Sequence, residues 1–251
     1  MSGPRVVSLV PSATETLLAL GVTPVAVTRF CEQPGLPTVG GTKDPDLDAI
    51  IALAPDVVIL CEEENRREDA DALMLAGVAT CALVVESVDD ALFAVGALGA
   101  FASAAVGLDL DLDLELDLAT EQLRALAVPP PLVPSGARAF VPIWRRPWMT
   151  MRGDTYGSSV LAHLGIANVF AEAAERYPST SLEEVAALAP DVVLAPSEPY
   201  PFKARHVAEL AEVAPVELID GQDLFWWGIR TPDALQRLRL RLEPWVGSPP
   251  G

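Results

Sequence analysis

The sequence predicts an α/β protein of two Rossmann-like lobes with parallel sheets, joined by a long backbone helix. Three observations predict it. A phrase is duplicated: "LDAIIALAPDVVIL" (47–60) and "LEEVAALAPDVVLA" (182–195) share the seven letters "ALAPDVV", 135 positions apart. Further pairs follow in the same order at similar offsets, "LLALGV" (17–22) with "LAHLGI" (161–166) and "DADALMLAGVATCALV" with "HVAELAEVAPVELI". Finally, short β-branched runs alternate with segments of helical spacing, as in parallel strands covered on both faces. A unit this long that occurs only twice suits two lobes rather than a solenoid. The expected division is an N-terminal lobe over 1–86, a connecting helical segment with a Pro-rich linker over 87–136, and a C-terminal lobe over 137–251.

The elements follow in chain order. "RVVSLVP" (5–11) reads as a buried strand, and Ser12 with Glu15 three residues on reads as a capping box that opens a helix. Leu47, Ile50, Ile51 and Ala54 form one helical stripe, which Pro55 stops because its ring and missing N–H do not fit an interior turn. Val57-Val58-Ile59-Leu60 is then a buried strand, and the second copy repeats the pattern after Asp191. "ARAFVPIW" (137–144) matches the first strand. Between the halves, "LDLDLDLELDL" alternates like a strand. However, Leu108, Leu112, Leu116, Leu123 and Leu126 also make a helical stripe, and Leu and Glu favour helix. Residues 108–127 are therefore read as a long connecting helix, ended by the stiff "PPPLVPSG" (129–136).

Composition excludes several classes of function. With 51% apolar residues the chain can fill real cores, and 17 basic against 35 acidic residues give a formal charge of −18. That field repels nucleic acid and anionic membrane surfaces. No apolar run approaches the roughly 18–20 residues needed to span a bilayer, so no membrane insertion is expected. "MSGPRVVSLVPSATE" has no secretion-signal pattern, so the chain as given is expected to be cytoplasmic, or periplasmic or extracellular where a signal peptide has been removed. Cys31, Cys61 and Cys81 are odd in number and widely spaced, which suits apolar filling rather than a disulfide or zinc framework. A monomer is expected.

Function is expected in the loops after the strands. These are "PSATET" (11–16), "TRFCEQP" (28–34), "CEEENRRED" (61–69), "WRRPWMTMRGDTYG" (144–157), "PSEPYPF" (196–202) and "DLFWWGIR" (223–230). Nine of the fifteen aromatic residues fall there: Phe30, Trp144, Trp148, Tyr156, Tyr200, Phe202, Phe225, Trp226 and Trp227. Aromatics at strand ends suit stacking on a large flat ligand; the alternative is that several plug the ends of each core. In "CEEENRRED", Arg66, Arg67 and Glu68 read as the solvated start of a helix. Glu63, Glu64 and Asn65 sit nearer the strand end, either facing a ligand or facing solvent. No nucleophile elbow, Walker loop or dinucleotide fingerprint occurs. His163 and His206 both fall in helical patterns, so neither a catalytic group nor a protein-ligated metal is expected.

The stretches "RVVSLVPSATETLLALGVTPVAVT", "GGTKDPDLDAIIALAPDVVILCEEENRRED", "WMTMRGDTYGSSVLAHLGIANVF" and "YPSTSLEEVAALAPDVVLAPSEPYPF" resemble the cobalamin-binding, helical-backbone class of periplasmic binding proteins. The resemblance covers about residues 4–245 and is weakest through 103–135. It implies a bulky metal chelate, cobalamin or a relative, held between two lobes and passed to an ABC permease without catalysis and with no intrinsic cofactor. On that resemblance Phe30, Trp148, Tyr156, Tyr200, Phe202, Trp226 and Trp227 would pack against the macrocycle or its side groups. Ser12, Thr14, Glu63, Glu64, Asn65, Asp154, Glu198 and Arg230 would bond its periphery, and Asp48 and Glu183 would dock on the transporter. The alternative is a cytosolic enzyme or chaperone in corrinoid or metal-cofactor processing.

Overall fold

The computed structural model describes residues 4–105 and 128–248; the connecting helix read over 108–127 lies outside the described residues. Contacts divide the chain into two units, Met1–Val85 with Asp89–Ala127 and Trp227–Ile229, and Glu86–Val88 with Val128–Trp226 and Arg230–Gly251.

In the first unit, β1 (Val6–Ser8), β2 (Ala26–Val27), β3 (Val57–Cys61) and β4 (Thr80–Leu83) form one sheet in the order β2-β1-β3-β4. All its pairings are parallel. Parallel neighbours need crossover connections, and these carry α1 (Pro11–Ala19), α2 (Leu47–Ala52) and α3 (Arg67–Leu75). Val58 through Cys61 are all buried, as expected of a strand covered on both faces. Val7, Leu9, Ile50, Val58, Leu60 and Leu73 make the core between sheet and helices. The helix α4 (Val88–Ala105) follows, with Ala91, Val95, Leu98 and Ala102 buried at helical spacing.

The second unit repeats the plan. Its strands β5 (Arg138–Phe140), β7 (Ala167–Asn168), β9 (Val192–Pro196) and β10 (Val216–Ile219) run parallel in the order β7-β5-β9-β10. The helices α5 (Tyr156–His163), α6 (Leu182–Ala187) and α7 (Ala204–Leu210) take the places of α1, α2 and α3. Phe140, Val185, Val193, Ala195, Phe202 and Leu210 are its core. Two short helices close the chain, α8 (Gly221–Phe225) and α9 (Thr231–Arg241). An antiparallel ribbon of β6 (Trp148–Met149) and β8 (Ser179–Thr180), which the sequence reading did not anticipate, lies outside the sheet.

The duplicated phrase is a helix end, a turn and a buried strand in both units. Ala54 and Ala189 turn the chain in the left-handed region, at φ +44° and +47°. The following proline disfavours right-handed helical geometry at the residue before it. This corrects the helical stripe expected through Ala54, since the helix ends at Ala52.

The capping box also needs correction. α1 starts at Pro11, whose fixed φ suits the first helical position, and Val10 is its N-cap without a side-chain bond. Ser12 therefore lies inside the first turn. A capping box does occur at the start of α6, where the Ser181 hydroxyl accepts the Glu184 N–H at 3.2 Å and the Glu184 carboxylate accepts the Ser181 N–H at 2.9 Å.

Candidate functional site

In each sheet the chain leaves the two central strands in opposite directions. That reversal opens a crevice beyond their carboxyl ends, the usual ligand position in open α/β sheets. The ends are β1 and β3 in the first unit and β5 and β9 in the second.

In the first unit this crevice is sewn by the chain's own polar groups. Asn65 is buried; its amide donates to the carbonyls of Leu9 at 3.2 Å and Thr42 at 3.0 Å, and its Oδ1 accepts the Cys61 N–H at 2.8 Å. The fully buried Thr14 hydroxyl lies 2.9 Å from the Val10 carbonyl, 2.8 Å from Ser8 Oγ and 3.3 Å from Cys31 Sγ. Ser12 Oγ accepts the backbone N–H of Trp227 at 3.2 Å, and both residues are buried. The side-chain polar groups of Ser12, Thr14 and Asn65 thus already have internal partners and serve the framework of this unit, and Trp227 is buried with them.

The rim is different. Phe30 is 49% exposed, with the Arg29 guanidinium 4.8 Å from its ring centre. Glu63 and Glu64 are half-buried, and the Glu63 carbonyl accepts the Lys43 ammonium at 3.0 Å. Burial first, and then the Glu64 charge, pushes the Cys61 thiol up to about 12.

In the second unit the two strand ends carry aromatics that meet. After β5 the chain makes a hairpin, in which the Ile143 N–H donates to the Met149 carbonyl at 2.8 Å and the Met149 N–H to the Trp144 carbonyl at 3.2 Å. This sets Trp144 and Trp148 on one loop. After β9, Tyr200 meets Trp144 edge-on at 5.6 Å and Phe202 at 4.7 Å, while Trp148 stacks on Phe202 at 6.0 Å. Phe202 is core, only 4% exposed, whereas Trp144 is 45% exposed. The result is an aromatic ledge with a buried footing and an open edge. Arg145 stiffens it: its guanidinium lies 5.7 Å from the Trp148 ring centre, and its Nε donates to Glu209 at 2.9 Å.

Elsewhere in the second unit, Trp226 Nε1 donates to Glu198 at 2.5 Å. Arg230 sits 4.9 Å over the Trp226 ring and donates to Gln222 at 3.2 Å. Asp154 is held by Arg152, whose Nε donates to Oδ1 at 2.7 Å, and this bond holds its carboxyl below the usual carboxylate range. Tyr156 is buried, with its hydroxyl 3.0 Å from Thr231 Oγ1. Like Phe202, it is part of the unit's interior.

Trp144 and Arg145 were not singled out as ligand residues by the sequence reading. The signal was in "WRRPW", where two aromatics bracket two cations after a buried strand. Asp48 and Glu183 occupy matching exposed places in the first turns of α2 and α6. Among the described residues, no group of three or more His, Cys, Asp or Glu side chains is placed to hold a metal ion. Nor is any described helix long and apolar enough to cross a membrane.

Comparison with known proteins fits this geometry. A family model described as periplasmic binding protein matches residues 6–213. The vitamin B12-binding protein of Salmonella typhimurium is 26% identical over 200 residues, covering 77% of this chain and 72% of that one. Among solved structures, the periplasmic vitamin B12 binding protein BtuF of Vibrio cholerae superposes with a TM-score of 0.74 at 21% identity, covering 97% of this chain and 98% of that one. The periplasmic heme-binding protein BhuT, in complex with two hemes, superposes with a TM-score of 0.74 at 20% identity, covering 96% and 98%. At these identities the structural likeness establishes the fold.

Proposed function

This chain belongs to the periplasmic binding protein family, and from that premise we propose that it binds a corrinoid or a similar bulky, flat metal chelate and delivers it to an ABC permease. The observation that carries the ligand class is the ledge of Trp144, Tyr200 and Trp148 on buried Phe202. A small solute would not need an open aromatic surface of this width; a macrocycle stacks on it. Relatives named for vitamin B12 and for heme support the same class. Trp226 and Arg230, stacked on one another, complete the contacts from their own loop. The exposed carboxylates Asp48 and Glu183 are the docking points for the permease. Delivery takes place outside the cytoplasm, where the named relatives work.

Titration with cobalamin, dicyanocobinamide, hemin and a ferric siderophore tests this, read by ligand absorbance and by tryptophan fluorescence. The expected result is saturable quenching by at least one chelate, lost in Trp144→Ala with Tyr200→Ala. No change in either signal at tens of micromolar sinks the proposal.

A further inference from the structure

Basic residues are scarce in this chain, 17 against 35 acidic ones, yet three of them gather beside the aromatic ledge. Arg145 lies over Trp148. Lys203 and Arg205, both exposed, follow Phe202, and the His206 ring that Arg205 meets lies 5.6 Å from Tyr200 and 5.7 Å from Phe202. Burial and then the charges of Arg205, Arg145 and Lys203 lower the pKa of His206, so these cations share one neighbourhood. His206 brings no negative charge to it, since its ring nitrogens face the Lys203 N–H at 3.0 Å and the Arg205 Nε at 3.2 Å. Glu209 pairs with Arg145 at 2.8 Å, and its charge partly offsets the cations around His206. Among the described residues, Lys203 and Arg205 carry no ion pair.

An acidic protein repels an anionic ligand at long range, so a local cationic rim decides whether such a ligand can settle. We infer that the ledge selects a flat ligand with anionic substituents at its edge, carboxylate or phosphate. Trp144 and Tyr200 take the ring face, and Lys203 and Arg205 take the charged rim. This rests on the chelate-binding reading above and narrows its ligand to an anionic class.

The test compares hemin, which carries carboxylates, and cobalamin, which carries a phosphate, with dicyanocobinamide, whose periphery carries no anionic group. Each exposed charge pair is worth about 2–5-fold in affinity. The double variant Lys203→Gln with Arg205→Gln should therefore lose roughly 10-fold for an anionic probe and nothing for dicyanocobinamide. Raising sodium chloride should weaken the anionic probe in the parent more than in the variant, because exposed charges are screened. The relative strengths of hemin and cobalamin separate carboxylate from phosphate as the preferred anion. If dicyanocobinamide binds at least as tightly as both, or the variant leaves anionic affinity and its salt dependence unchanged, this inference is overturned while chelate binding stands. If neither these probes nor the ferric siderophore binds, the chelate reading itself falls and takes this inference with it.

Discussion

Asp56 grips Arg5 by two backbone-directed bonds: its carboxylate accepts the Arg5 N–H at 2.7 Å, and its own N–H donates to the Arg5 carbonyl at 2.8 Å. The second unit repeats the clasp, with Asp191 accepting the Arg138 N–H at 2.8 Å and donating back at 2.8 Å. The aspartate of the duplicated phrase thus registers the start of β3 against β1, and of β9 against β5. The Arg5 guanidinium adds a bond to the Leu53 carbonyl at the end of α2, at 2.6 Å.

Removing the clasp should cost stability in either unit. Asp56→Ala and Asp191→Ala are each expected to lose about 1 kcal/mol, the usual net worth of such a bond. Asp→Asn should lose less, because its carbonyl still accepts. Urea denaturation measures both; equal losses for Ala and Asn would show that the side-chain acceptor contributes nothing.

Left-handed geometry at Ala54 and Ala189 costs a residue with a Cβ roughly 1–2 kcal/mol, which glycine avoids. Glycine gives back part of this through its freer unfolded chain. Ala54→Gly and Ala189→Gly are therefore expected to stabilise by up to about 1 kcal/mol each. A lowered melting temperature in both would count against this backbone geometry.

Asp223 is buried, its side chain 7% exposed, and is held by Arg237 through bonds of 2.9 and 2.5 Å. Arg237→Met strands a buried carboxylate, a loss of several kcal/mol in full burial. The arginine is itself half exposed, so solvent screens the pair and the expected loss is nearer about 2 kcal/mol. Asp223→Asn in the Arg237→Met background should recover part of it.

Burial pushes the Tyr156 hydroxyl up to about 12, outweighing its bond to Thr231 and the nearby Arg230 charge. A group whose folded pKa is raised contributes stability that is complete below its unfolded pKa, about 10 for tyrosine, and lost as pH rises through the folded value. Stability should therefore fall between pH ~10 and about 12. Tyr156→Phe should flatten that fall; an unchanged alkaline profile would refute the assignment.

The three cysteines should differ in reactivity. Burial raises all three thiols, but Cys81 is only half-buried, while Cys31 and Cys61 are inside. Thiolate is the reactive form. In the folded protein Cys81 should react first with a disulfide reagent, and Cys81→Ser should remove that phase. Fast labelling of Cys61 would contradict its place in β3.

The architecture was legible because it is written locally. Val57-Val58-Ile59-Leu60 after Pro55 states a helix stop and a buried strand within a few residues, and its twin states the same order for the second unit. Arg66 and Arg67 at the start of α3 were legible for the same reason. Where local rules competed, the structure decided. Pro11 took the first helical position that the Ser12 capping pattern had claimed.

The site was less legible, because a loop side chain's role depends on partners far along the chain. Thr14 and Asn65 look like ligand contacts until Cys31 and Leu9 occupy them. Trp148 becomes part of a ledge only through Phe202, and Trp144 only through Tyr200. The sequence by itself determined two matching parallel α/β units and loops rich in aromatics, since steric and hydrogen-bonding preferences act between neighbours. Only the tertiary structure decided which polar groups the fold consumes and which aromatics stay open, since burial is set by residues brought together from distant positions.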